Sequence, residues 1–119
     1  ERKGLVTSRV GQGAYRKSVL YRWEFKCAVT KFVKPEILIA SHIHAWKDST
    51  NDQRLDVDNG ILLSPNYDAL FDQHLISFDN SGEIILSKPL IESNYQDLGV
   101  TGKEKIVGLS TGNKFYLDI

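Results

Sequence analysis

Hydrophobic positions along the chain change period several times, and each change marks an element. Over residues 13–27, Tyr15, Val19, Leu20 and Trp23 recur so as to share one helical face, with Arg16, Lys17 and Arg22 elsewhere, which predicts an amphipathic helix. Residues 36–43 (EILIASHI) follow Pro35, are rich in Ile and Leu, and are too short for an ordinary helix, so they predict a strand. Residues 46–58 are polar and crowded with Asp, Asn, Ser and Thr, and read as a loop. After Asn59 and Gly60, residues 61–63 (ILL) predict a second short strand. Ser64 then offers an N-cap and Pro65 a first helical residue, so a helix of about two turns is expected over 65–72. Residues 75–79 and 83–87, joined by Asn80, Ser81 and Gly82, carry a hairpin signal. Beyond Pro89 a helix over 92–98 and short strands near Ile106 and Phe115 are expected.

The 119 residues are 41% hydrophobic and 25% charged, enough apolar material for one core without covalent staples. A single domain over residues 1–119 is therefore expected. No apolar run approaches the roughly 20 residues of a membrane span, which removes that class along with disordered and collagen-like chains. The one cysteine, Cys27, cannot form an intramolecular disulfide, and no signal-peptide pattern precedes it. A reducing, cytoplasmic setting is the expectation. The chain begins at Glu1 and contains no methionine, so it reads as a fragment of a longer protein.

Chemistry-bearing residues concentrate in the middle of the chain. His42 and His44 stand two apart, and a strand's period of two would put both imidazoles on one face, as a metal site, an acid–base site or a solvated strand end would have them. His74 follows the expected helix and reads as structural or superficial. Asp68 and Asp72 lie four apart on that helix, so their carboxylates share a face. Such a pair is mildly destabilising unless a cation lies between, although a solvated acidic face is the commoner outcome. The acidic loop is not an EF-hand, because Gln53 stands where that loop needs Gly and no Glu closes it. Cys27 lacks a thiolate partner and neither His-containing segment has zinc-finger spacing, so no structural zinc is expected and Cys27 reads as a small buried residue.

Four blocks appear in order: GQGAYRKSVLYRWEFKCAVT, LIASHIHAWKDS, RLDVDNGILLSPNYDALFDQHLISFD and the hairpin after them. Together they resemble the HNH endonucleases, in particular the branch found in bacterial restriction enzymes, over roughly residues 10–87. The resemblance implies an α+β fold: a ββα-metal core, with an N-terminal amphipathic helix and an additional C-terminal β-hairpin. It implies that His42 is the general base, that Asn59 holds the loop and orients it, and that Asp68 and Asp72 bind a single catalytic cation. It further implies a double-stranded DNA substrate, dimerisation during cleavage and fusion to a domain that recognises a sequence or a modified base.

The sequence departs from the family at two site positions, and it lacks the zinc-binding cysteine pairs of many relatives. Ser41 stands where many members have a ligand, and could act at most through a water. Asp68 replaces the last histidine. Oxygen ligands move the expected metal to Mg²⁺, or Mn²⁺ and similar hard ions. His44 could touch phosphate or serve as a polar contact, and Lys47 and Arg54 are candidate phosphate contacts with a solvated loop as the equal alternative. Two further readings stand beside the nuclease: an HNH-fold DNA-binding module with weakened catalysis, and a zinc hydrolase using His42 and His44.

The formal net charge of zero first counts against a nucleic-acid protein. By segment, however, it divides into +7 over residues 1–34, −6 over 35–79 and −1 over 80–119. A basic flank beside an acidic centre suits a phosphate substrate met through a cation.

Overall fold

In the computed structural model, which describes residues 11–119, the amphipathic segment forms α1 (Gln12–Arg22). Val10, where the expected core begins, lies outside the described residues with the rest of 1–10. Tyr15 and Val19 of α1 are buried, as is Trp23 just beyond it. The helix stops well short of Cys27 because the chain turns through left-handed backbone at Glu24 and Phe25.

The strand expected over 36–43 is shorter. Pro35–Ile37 forms a 3-10 turn, and β1 covers Ile39–His42. β1 pairs antiparallel with β2 (Gly60–Leu63), Ile39 opposite Leu63 and His42 opposite Gly60. β2 is buried along its whole length, which accounts for its unbroken apolar run.

Between these strands, the segment expected as a loop contains α2 (Asn51–Leu55), with 3-10 turns at Trp46–Asp48 and Val57–Asn59. A capping box starts α2: Thr50 Oγ1 accepts from the Gln53 N–H at 3.2 Å and Gln53 Oε1 from the Thr50 N–H at 2.8 Å. A helix with no buried face leaves no hydrophobic period to read.

The next helix, α3 (Pro65–Asp72), begins as expected at Pro65, but Ser64 does not cap it through its side chain. Its hydroxyl donates to Asn66 Oδ1, and its N–H donates to the sulfur of Cys27 at 3.3 Å. Cys27 is fully buried and ties the exit of α1 to the entry of α3.

A second hairpin follows, β3 (Ile76–Phe78) with β4 (Ile84–Leu86). Gly82 in its turn has φ +90°, and a Cβ there would collide with the carbonyl oxygen of Ile106.

The C-terminal segment corrects three expectations. The helix expected over 92–98 is instead α4 (Lys88–Ile91) and a 3-10 turn at Tyr95–Leu98. The strand expected near Ile106 is one isolated bridge between Lys105 and Glu83. The strand expected near Phe115 is a helix, α5 (Thr111–Leu117), started by a second capping box between Ser110 and Asn113.

The fold class is thus α+β, with helices around two separate antiparallel pairs. Among the described residues no helix is long and apolar enough to cross a membrane.

Candidate active site

The register of the first strand pair creates the site. His42 ends β1 opposite Gly60, where a Cβ would come within 2.7 Å of Tyr15 Oη and Val19 Cγ2. With no side chain in the way, Tyr15 rises from α1 and stacks on the His42 ring, centroids 4.5 Å apart and planes 9° from parallel. The Tyr15 hydroxyl donates to the carbonyl of Asn59 at 2.8 Å.

His42 Nε2 lies 2.9 Å from the carbonyl oxygen of Arg54. A carbonyl only accepts, so Nε2 carries the proton and Nδ1 keeps its lone pair. Burial pushes the imidazole below its ordinary pKa. The Arg54 carbonyl opposes that shift, and the Arg54 guanidinium reinforces it.

Asn59 is fully buried in the 3-10 turn before β2. Its Oδ1 accepts from the His44 N–H at 2.8 Å, and its Nδ2 donates to the Gln53 carbonyl at 3.0 Å and to Ser49 Oγ at 3.4 Å. None of these side-chain bonds goes to His42. Asn59 ties the chain just after His42 to the end of α2, and so fixes the neighbouring Arg54 carbonyl that holds the imidazole.

A cavity of 190 Å³ lies where β1 meets α3, lined by Ser41, His42, Trp46, Asp68, Phe71 and Asp72 among others. Ser41 is buried, and its hydroxyl donates to Asp68 Oδ1. Asp68 is half-buried and Asp72 exposed one turn on. A second cavity of 370 Å³ shares His42, Phe71 and Asp72 with the first and extends past His44, Asp48 and His74 to Tyr116 of α5.

The remaining candidates are more loosely placed. β1 ends before His44, so the two imidazoles do not share a strand face as the spacing implied. The His44 ring instead meets the Asp48 carbonyl at 3.2 Å. Lys47 is exposed. Arg54 lays its guanidinium over the Trp46 ring at 3.8 Å and donates from Nε to the Trp46 carbonyl at 2.8 Å, which ties it to its own loop. Tyr15 is the residue the sequence reading missed, since a tyrosine on the apolar face of a helix reads as core.

Among the described residues, no three His, Cys, Asp or Glu side chains are grouped to hold a metal by themselves. Two carboxylates beside a small cavity suit a hard divalent cation that keeps water and phosphate oxygens around it, as magnesium does. They do not make a tetrahedral cage of four protein donors, which structural zinc requires.

Residues 27–79 match the family model for HNH endonuclease. The matched stretch contains β1, α2, β2, α3 and β3, and with them His42, Asn59, Asp68 and Asp72. It supports an HNH nuclease domain over those residues, a family that generally uses divalent metals and acts on DNA. α1 and everything after Asp79 lie outside it. No curated protein matches the chain.

Proposed function

We propose that this domain is a metal-dependent DNA endonuclease of the ββα-metal type, the cleavage part of a bacterial restriction enzyme, with Mg²⁺ as its cation. The observation that carries the reading is that an imidazole held at Nε2 by the Arg54 carbonyl and two helical carboxylates line one cavity. His42 takes a proton from water at Nδ1, the nitrogen left free by the Arg54 carbonyl. Tyr15 keeps the ring from turning, and Asn59 holds the loop that presents the Arg54 carbonyl. Asp68 and Asp72 would anchor the cation, and Ser41 steadies the Asp68 carboxylate. When bound, the cation supplies positive charge against the phosphoryl oxygens and the departing 3′ oxygen. Cutting both strands takes two such sites, so dimerisation and a fused domain that selects the target belong to the same reading.

The test is cleavage of supercoiled plasmid, methylated and unmethylated, with Mg²⁺ or Mn²⁺. His42→Ala should lose at least about 100-fold in rate, the usual contribution of a positioned base. Asp68→Asn should raise the metal concentration required. Unchanged cleavage by His42→Ala would overturn the proposal. One observation favours a second reading, a DNA-binding module with weakened catalysis: the Ser41 hydroxyl occupies one of the two Asp68 oxygens. Tight binding of DNA with no cleavage in any of these metals would select it.

A further inference from the structure

The conformation at Asn59 is fixed in part from outside the matched stretch, by Tyr15 and Asn113. The peptide group leaving Asn59 is held at its carbonyl by Tyr15 Oη at 2.8 Å and the Ile43 N–H at 3.3 Å. The peptide group entering it is held at its N–H by the Asp56 carbonyl at 2.9 Å. The carbonyl of that same peptide, Asp58 O, accepts from Asn113 Nδ2 at 2.7 Å.

Asn113 belongs to α5 and is fully buried. Its Oδ1 accepts from the Ser110 N–H at 3.0 Å and from Arg22 Nη2 at 2.8 Å. Two donors at the oxygen settle which way the amide faces, so its NH₂ is the end presented to Asp58. One turn further along α5, the Tyr116 hydroxyl donates to Asp56 Oδ2 at 2.7 Å, and Asp56 Oδ1 accepts from the Asp58 N–H at 3.0 Å. Gly112 lets the two elements approach this closely, since a Cβ there would collide with the Asp58 carboxylate. The turn is thereby gripped at both of its acidic residues.

We propose that Asn113, backed by Tyr116, is a positioning residue for His42, acting through the Asp58 carbonyl on the direction of the Asn59 side chain. This rests on the reading of His42 as the base. A half-buried carbonyl that loses its donor draws the turn towards water. Asn59 then releases Gln53 and His44, and the Arg54 carbonyl no longer aims at His42 Nε2.

Asn113→Asp keeps an acceptor for Ser110 and Arg22 but turns a carboxylate oxygen, which cannot donate and repels, towards the Asp58 carbonyl. Tyr116→Phe removes only the hydroxyl. Both are to be compared in the full chain with Leu90→Ala, which opens the core at a buried residue of α4. Nitrogen-15 NMR of the His42 ring should show one Nε2–H tautomer in the wild type and a mixture in both α5 variants. Their kcat on plasmid should fall about tenfold to 100-fold, as expected of a misaligned reacting group, with KM for DNA unchanged. Leu90→Ala should lower Tm with neither effect. Wild-type ring signals and kcat in both α5 variants would overturn the proposal, as would an equal loss in Leu90→Ala. If Asn113→Asp does not fold, Tyr116→Phe decides alone. If the wild type cuts no DNA, the nuclease reading falls, while the ring spectra still decide whether α5 positions His42.

Discussion

His42 can act as a base only while neutral, and its surroundings favour that form. Burial disfavours the cation, and the Arg54 guanidinium adds to the effect, so the pKa falls below the ordinary value of about 6.5. Activity is lost as pH drops through the lowered value, which places the acid limb of kcat/KM below about 6.5. A pH–rate profile with its acid midpoint at or above that value would contradict the assignment of the base. In the sequence, His42, Asp68 and Asp72 can be picked out by type and spacing as the groups to which the proposed reaction gives its chemistry, whereas Asn59 stands out only through the resemblance to the HNH endonucleases. The sequence does not display the groups that aim them. Tyr15 looks like core because it is core, and stacking on an imidazole is its second task. Arg54 draws notice for its charge, yet the atom of Arg54 that serves the site is a backbone carbonyl, which no side-chain pattern reports.

The same division runs through the elements. β2 and α3 are legible because burial writes an apolar run and Pro65 marks a helix start. α2 and α5 are begun by capping boxes, Thr50 with Gln53 and Ser110 with Asn113, whose polar letters also read as loop. α5 carries Phe115 and Tyr116 side by side, a pair that resembles a strand until the cap before it is recognised.

A further tie in the C-terminal segment, through Glu104, makes the fold's stability depend on pH. Glu104 accepts from the Tyr67 hydroxyl at 2.7 Å and from the N–H groups of Thr101 at 2.7 Å and Gly102 at 2.8 Å. Tyr67 precedes Asp68 on α3, so this tie braces the helix that carries both carboxylates. Burial pushes the Glu104 carboxyl upward, but the bonds from Tyr67 and the backbone outweigh it and hold the pKa below the usual range. A carboxylate whose pKa is lower folded than unfolded stabilises the fold at pH above its unfolded value of about 4.3, and that contribution disappears as pH falls through the folded value. Glu104→Gln should therefore lower Tm clearly at pH 7 and much less near pH 3. Thermal melts at the two pH values check this, and an equal loss at both would show that the Glu104 charge contributes nothing.

For the whole molecule, the zero net charge conceals a division that the fold keeps. Acidic residues of the central segment, Asp48, Asp68 and Asp72, line the two cavities around His42, whereas α1 carries Arg16, Lys17 and Arg22. Two of these basic side chains are already engaged. Arg16 donates to the carbonyls of Leu38 at 2.7 Å and Pro35 at 2.9 Å, and Arg22 to that of Gly108 at 2.7 Å. They hold loops in place, and their charge acts on a polyanion as part of the general field of the basic third. A phosphate approaching the site meets carboxylates first, and their repulsion must be neutralised before it can settle there. DNA binding should accordingly be weak in EDTA and fall steeply as salt rises, because it then depends on counterion release at the basic flank alone. Adding Mg²⁺ to a non-cleaving His42→Ala variant should tighten it, since a cation held by Asp68 and Asp72 would offset their charge towards the phosphate. Fluorescence anisotropy of a labelled duplex, titrated across salt with EDTA and with Mg²⁺, measures both effects. Affinity in EDTA that does not change with salt, or that exceeds affinity in Mg²⁺, would mean that the acidic cavity is not where the backbone of the DNA is received.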